Sequence, residues 1–123
     1  MTSPEEVEKL GFSQVVRRGN LLFCAGQIGV EADGAVPDDP RRQFELAFRA
    51  LGRVLASEGA TPQEIVDLTT FHVGLFDHLE LFVDEKARFL NGARPAWTAI
   101  EVVRVGYPET LVEIKAIACL DDC

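Results

Sequence analysis

Two segments in which apolar residues recur at helical spacing constrain the fold of this chain most strongly. The first opens at Asp39, a residue type that caps helices, followed by Pro40 at the first helical position, and it closes at Gly59. Its apolar stripe comprises Phe44, Ala47, Phe48, Leu51, Val54 and Leu55. The second starts at Asp77 or His78, ends at Asn91-Gly92, and has a stripe of Leu79, Phe82, Val83, Lys86, Ala87 and Leu90. This spacing predicts two long amphipathic helices, each with one buried face.

Runs rich in β-branched and aromatic residues surround these two helices. They are Ser13–Arg17, Leu21–Ala25, Ile65–Leu75, Ala96–Val105 and Leu111–Cys119. The Gly19-Asn20 pair predicts a hairpin turn between the first two runs. Residues 1–10 are predicted to be a loosely ordered lead-in or a short helix. The order β-β-α-β-α-β-β and the length of 123 residues predict one α+β domain over residues 1–123, with both long helices on one face of a mixed sheet.

The other face of this sheet carries an unusual mixture of side chains if the last two strands pair as a hairpin around Pro108. It would then hold Trp97, Ala99, Glu101 and Val103 from one strand and Leu111, Glu113, Lys115 and Ile117 from the other. Lys115 would lie opposite Glu101 and form an ion pair, whereas Glu113 would have no partner. An unpaired carboxylate on a half-buried face can hold a catalytic water. The mixture therefore predicts a subunit interface that contains a polar pocket.

The charge balance and the cysteines exclude several classes of function. Lys and Arg number 12 against 20 Asp and Glu, a net charge of −8 that repels phosphates, so we expect no nucleic-acid partner. No stretch approaches the roughly 20 apolar residues of a membrane span, so we expect no membrane partner, and the acidic N-terminus leads us to expect no secretory signal. Cys24, Cys119 and Cys123 form no zinc-binding pattern. We interpret them as reduced thiols in a cytoplasmic protein.

Two aromatic side chains in the strands allow a structural or a functional interpretation. We interpret His72 as structural, because a lone histidine in a strand rarely acts alone. Trp97 either packs on an apolar strand face or forms a platform for a ligand. No nucleophile-elbow, Walker or dinucleotide-binding motif is present in the sequence.

Three groups of residues resemble the RidA/YjgF family. They are Phe12–Val16 with Gly19–Phe23 and Ala25–Ile28, Thr69-Thr70 with Asp77, and Arg94–Val102 with Leu111–Ala118. The resemblance is collinear over residues 10–119. It implies a chorismate-mutase-like subunit and a homotrimer, with a central β-barrel, helices outside, and ligand clefts between neighbouring subunits. It also implies hydrolysis of reactive enamines and imines to 2-keto acids and ammonia, with no metal or organic cofactor.

The resemblance assigns roles to particular residues and also shows where this chain departs from the family. Glu113 matches the glutamate that positions water, and Gly26 matches a glycine whose backbone lines the pocket. Trp97 occupies the position of the arginine that binds the substrate carboxylate in the deaminases, and an indole cannot replace a guanidinium fork. Arg94, three residues earlier, is the candidate for a displaced positive charge.

Three further pocket positions have lost the polar groups of the family. Phe12 replaces a tyrosine, Ala25 a serine and Ala99 a cysteine, so the predicted cleft is more apolar and aromatic. Our first hypothesis is a RidA-like hydrolase of an enamine, an imine or a related small metabolite other than 2-aminoacrylate. The alternative is a non-catalytic homotrimer that binds a small metabolite in the same clefts. A third is a structural or protein-partner role with vestigial clefts.

Overall fold

A computed structural model describes residues 4–121, and over that range the chain forms three α-helices and a five-stranded sheet. The helices are α1 (Pro4–Leu10), α2 (Pro40–Ser57) and α3 (Leu75–Leu90), with a 3₁₀ helix at Pro62–Glu64. The strands are β1 (Val15–Arg18), β2 (Leu21–Gln27), β3 (Ile65–His72), β4 (Ala96–Glu101) and β5 (Val112–Cys119). The α+β prediction and the two long helices are confirmed. Of the two forms expected for residues 1–10, the short helix is observed over residues 4–10, and residues 1–3 lie outside the described residues.

The starts of α2 and α3 follow different local rules. At α2 the Asp39 carboxylate accepts a hydrogen bond from the Arg41 backbone N–H at 3.1 Å, which is the predicted cap. At α3 the helix begins at Leu75, two residues before the predicted Asp77. Gly74 is in the left-handed region, with φ of 68°, and its missing side chain lets the chain turn directly from β3 into the helix.

The strand order β1-β2-β5-β3-β4 shows that the predicted hairpin of the last two strands is wrong. β5 pairs antiparallel with both β2 and β3, whereas β4 pairs parallel with β3 at the edge of the sheet. The crossover through α3 explains this pairing, because a strand that follows a strand and a helix returns in the same direction. Residues 102–111 then carry the chain past β3 to the centre of the sheet.

This register also corrects which side chains share a face. Lys115 lies opposite Thr69, so the predicted pair with Glu101 does not form. Glu101 is level with His72, and its carboxylate accepts a hydrogen bond from the Leu75 backbone N–H at 3.0 Å. Trp97 is level with the buried Leu68 and packs on the helix-covered face together with Ala99. Glu113 projects from the opposite face, which we call the open face.

An aromatic cluster centred on Phe82 joins α2 and α3 to the sheet. The Phe82 side chain is fully buried. Its ring centroid lies 5.3 Å from those of both Phe44 and Phe48, 4.5 Å from that of His72 and 6.2 Å from that of Trp97. One ring of α3 therefore contacts both α2 and two strands, and it joins the two helices to the sheet at this point.

A buried polar network lies beside this cluster and accounts for His72. The Thr70 hydroxyl oxygen accepts a hydrogen bond from Trp97 Nε1 at 3.0 Å and lies 2.7 Å from His72 Nε2. We therefore infer that the Thr70 hydroxyl donates a hydrogen bond to Nε2 of a neutral His72, and that this nitrogen carries no proton. Burial lowers the pKa of His72 to about 4. These contacts favour the structural interpretation of His72 and the packing interpretation of Trp97, whose ring also lies 4.3 Å from Lys86 Nζ.

We expect His72 to make the stability of the fold fall in mild acid. Because its folded-state pKa of about 4 is below the usual 6.5, the unfolded chain takes up this proton first as the pH falls. The free energy of unfolding should drop by about 2 kcal/mol between neutrality and roughly pH 5. His72→Gln should flatten this dependence in urea titrations. His78→Gln, outside the Thr70 network, should keep the wild-type slope, and equal slopes in all three proteins would contradict the assignment.

Candidate functional site

The Glu113 carboxylate lies where three hollows formed by the described residues meet on the open face. The α1 hollow, of about 330 Å³, includes Leu10, Phe12, Gly26 and Tyr107 in its lining. The Arg104 hollow, of about 400 Å³, includes Phe71, Val102, Arg104 and Gly106. The sheet hollow, of about 480 Å³, includes Phe23, Phe71, Lys115 and Ile117. Glu113 is half-buried, and within residues 4–121 it makes no hydrogen bond or ion pair, so its carboxylate is open to a ligand.

Two glycines leave the room that the Glu113 side chain occupies. A Cβ atom at Gly26 would lie 2.5 Å from Glu113 Oε2 and 2.7 Å from its Cγ. A Cβ atom at Gly106 would lie 3.3 Å from Oε1. Both carboxylate oxygens are thus in close contact with backbone, one from β2 and one from the loop before β5. This close approach fixes where the carboxylate points.

A β-bulge brings Gly26 to this position. The pairing of β2 with β5 is regular up to Cys24 and shifts before Gln27, so Ala25 and Gly26 form the irregular step. The buried Gln27 amide stabilises the bulge because its Nε2 donates to the Ala25 carbonyl at 3.1 Å and to Gln14 Oε1 at 2.7 Å. Each residue of the Ala25-Gly26-Gln27 sequence therefore has a local structural role. The Ala25 carbonyl and the Gln27 amide stabilise the bulge, and Gly26 leaves room for the Glu113 side chain.

Gly26→Ala is expected to displace the Glu113 carboxylate while the fold survives. The added methyl group would meet the Glu113 side chain from Cγ to Oε2 and not backbone, so the whole Glu113 side chain would have to change its rotamer. We expect loss of most Glu113-dependent activity with a change of no more than about 1 kcal/mol in the free energy of unfolding. Activity and urea unfolding of one sample measure both. Gly52→Ala in α2 is the matched control, since the backbone there is helical and a Cβ would meet only Phe89 Cε1, at 3.4 Å.

The structure brings together three of the six residues that the sequence assigned to the site. Phe12, Gly26 and Glu113 line the same hollow. Trp97 and Ala99 lie on the helix-covered face, so within one chain they do not line it with Glu113. Their assigned role in substrate binding stays a prediction.

Arg94 is also remote from Glu113 within one chain. Glu113 is level with Phe71, which is level with Ile100, and Arg94 precedes Ile100 by six positions. At the usual rise per residue this is a separation of about 20 Å along the strand direction. Arg94 instead lies close enough to Lys86 that its charge, second to burial, lowers the pKa of that amine.

Residues that sequence reasoning did not assign to the site come mainly from the loop before β5. Gly106 and Tyr107 line the α1 hollow, and Arg104 lines the hollow named after it. The hairpin predicted around Pro108 assigned Gly106 and Tyr107 only to a turn. A usable signal was present, because a loop that directly precedes the strand of a candidate catalytic carboxylate ends beside it.

The cysteines of the described residues are in different oxidation states. Cys24 is a free, buried thiol whose pKa burial raises to about 11, so it is unreactive near neutrality. Cys119 is disulfide-bonded, so the prediction of reduced thiols is wrong there, and Cys123 lies outside the described residues. Between residues 4 and 121 no three metal-binding side chains cluster, and no helix is long and apolar enough to cross a membrane.

Comparison with known proteins agrees with this fold over nearly the whole chain. The crystal structure of Rv2704 from Mycobacterium tuberculosis, a member of the YjgF/YER057c/UK114 family, matches with a TM-score of 0.85 at 27% identity, covering 97% of this chain and 95% of that one. The RutC family protein YjgH of Escherichia coli K12 is 35% identical over 108 residues, which cover 87% of this chain and 81% of that protein. The 2-iminobutanoate/2-iminopropanoate deaminase of Dermatophagoides farinae is 25% identical over 124 residues, covering 98% and 95%.

The sequence profile described as endoribonuclease L-PSP matches residues 5–120. The chain therefore belongs to this family, the RidA/YjgF family that the sequence resembled.

Proposed function

We propose that this chain hydrolyses an enamine or imine of a small metabolite other than 2-aminoacrylate, with Glu113 as the catalytic residue. The observation that carries this proposal is the Glu113 carboxylate, unpaired within residues 4–121 and held between Gly26 and Gly106 where three hollows meet. Membership of a family that includes a relative named as an imine deaminase supports the reaction type.

The chemistry requires one group that both takes and returns a proton. Starting from the protonated imine, Glu113 takes a proton from water as the water oxygen bonds to the imine carbon, and the C=N electron pair moves to nitrogen. Glu113 then returns that proton to nitrogen. The C–N bond breaks as the hydroxyl group gives its proton to Glu113 and the carbonyl forms. The released ammonia takes this proton and leaves as ammonium, which restores the Glu113 carboxylate. An enamine enters the same sequence after it is protonated on carbon.

We further propose that the active form is a homotrimer with clefts between its subunits. Large apolar side chains of the open face support this assembly, since Phe23 is 41% exposed and Ile100 39% exposed in the single chain. In such an assembly the predicted role of Trp97 and Ala99 is limited to the half-buried surface that Phe82 and Thr70 leave exposed, which would line the cleft of a neighbouring copy. The net charge of −8 argues against a nucleic-acid partner despite the family's endoribonuclease name.

The choice of substrate follows from the lining of the α1 hollow. Leu10, Phe12 and Tyr107 give it an apolar and aromatic character. Tryptophan at position 97 provides no guanidinium for a small, highly polar substrate such as 2-aminoacrylate. We therefore expect a substrate with a larger apolar side chain.

An ammonia-release assay tests the proposal. Imines of aliphatic and aromatic 2-keto acids are generated in place by an amino-acid oxidase, and their spontaneous hydrolysis is subtracted. Acceleration by the protein, greater for bulky imines than for 2-aminoacrylate, is expected. No acceleration of any imine would contradict the proposed reaction.

A non-catalytic metabolite-binding trimer is the second candidate. The lack of polar side chains at Phe12 and Ala25, both in the α1 hollow, favours it, because fewer groups remain to orient a reacting substrate. This candidate predicts saturable binding of a 2-keto acid with no release of ammonia.

A further inference from the structure

The lining of the Arg104 hollow includes both a cation, the exposed Arg104, and the Glu113 carboxylate. Arg104 belongs to the loop that joins β4 to β5, and its neighbours in the lining are Phe71, Val102, Val105, Gly106 and Glu113. Hydrogen bonds hold both ends of this loop. The Val102 backbone N–H donates to the His72 carbonyl at 2.8 Å, and the Leu111 backbone N–H donates to Gln43 Oε1 at 2.9 Å. Arg104 is thereby kept at the edge of the hollow.

The Arg104 guanidinium has no partner of its own in the part of the chain that the structure describes. It makes neither a hydrogen bond nor an ion pair there. Arg41, by contrast, binds Asp84 at 2.6 Å and Glu85 at 2.9 Å, bridging α2 and α3. Glu113 lines the same hollow as Arg104, but the two do not pair. Both a cation and an anion are therefore available to one ligand.

We propose that Arg104 is a specificity-determining residue that binds the carboxylate of the ligand in this hollow. Its five N–H donors form the fork that a carboxylate accepts with two parallel hydrogen bonds. The positive charge that is missing at position 97 would then come from Arg104, in the loop that leads to β5. Binding of a carboxylate by Arg104 does not depend on the proposed function; only the reaction that follows binding rests on it.

The arrangement also orients the ligand and defines its class. Glu113 repels a carboxylate, so the acid group binds at Arg104 and the C=N carbon faces Glu113. Leu10, Phe12 and Tyr107 of the α1 hollow, which also includes Glu113, offer apolar surface for the rest of the molecule. The ligand class is thus a 2-imino or 2-enamino acid with a branched or aromatic apolar side chain, and the 2-keto acid is its product.

Calorimetric titration with 4-methyl-2-oxopentanoate, a 2-keto acid of this class, tests the role of Arg104 without any turnover. Arg104→Gln should raise the Kd about ten- to a hundredfold, the usual effect of losing hydrogen bonds between charged groups. Arg104→Lys should fall between wild type and Arg104→Gln. Arg53→Gln removes the same charge from an exposed position of α2 and should change nothing. The ketone 4-methyl-2-pentanone, which has no carboxylate, should not distinguish wild type from Arg104→Gln.

The possible results separate this inference from the proposed function. Equal affinity of wild type and Arg104→Gln for the keto acid, or no binding to wild type at millimolar concentration, overturns the role of Arg104. Imine hydrolysis could still be observed in that case. Arg104-dependent binding together with no ammonia release from any imine supports the role of Arg104 and overturns the proposed hydrolysis.

Discussion

Glu113→Gln is expected to lower the rate of imine hydrolysis at least about a hundredfold, with KM changed little. Glutamine has the same shape and fits between Gly26 and Gly106, so the hollows should keep their form. It cannot take a proton from water, however, and the attacking water would lose its base. The measurement is the rate of ammonia release at saturating imine, with spontaneous hydrolysis subtracted.

Glu101→Gln is the matched control for this experiment. Glu101 lies on the helix-covered face and accepts a hydrogen bond from the Leu75 backbone N–H, which a glutamine oxygen can also accept. Its substitution removes the same charge from a neighbouring part of the sheet and should leave the rate unchanged. If Glu113→Gln retained near wild-type activity while binding keto acid less tightly, Glu113 would be a binding residue and not the proton carrier.

The aliphatic and aromatic periodicity of the sequence predicts the elements of this fold well, but it does not determine how the strands pair. Alternation shows which side chains of a strand share a face, and it does not identify the neighbouring strand. Ala96–Glu101 and Val112–Cys119 were both found, and their assumed hairpin was wrong because residues 102–111 are long enough to pass over β3. That one error placed Trp97 on the same face as Glu113.

The sequence predicts only one part of the candidate site, because the other part depends on the complete fold. Phe12, Gly26 and Glu113 lie in or beside strands, and the family resemblance assigned them positions that the structure brings into one hollow. Arg104 and Gly106 belong to a loop, where no repeat constrains the direction of a side chain. Their proximity to Glu113 depends on the return of the chain to the centre of the sheet, which is a property of the whole topology.

Phe82→Ala is expected to lower the free energy of unfolding by about 3–5 kcal/mol, the range for large-to-small changes of buried aromatic residues. The Phe82 side chain is fully buried and packs against Phe44 and Phe48 on α2 and against His72 and Trp97 in the sheet. Removal of the ring would open a cavity at the junction of three elements, and rigid helices on either side would prevent its collapse. Urea unfolding at a fixed protein concentration measures the change, because oligomers unfold with concentration dependence.

Phe76→Ala on the same helix provides the control for this prediction. The Phe76 side chain is 80% exposed, so its truncation removes little buried surface and should change the free energy of unfolding by no more than about 0.5 kcal/mol. A loss of stability at Phe76 equal to that at Phe82 would show that α3 is covered by another subunit at its first turn. A small loss at Phe82 would contradict its central place in the core.

Because Phe82 also supports the Thr70 network, its removal should raise the pKa of His72 by admitting water, and the stability of the variant should then depend less on pH below neutrality.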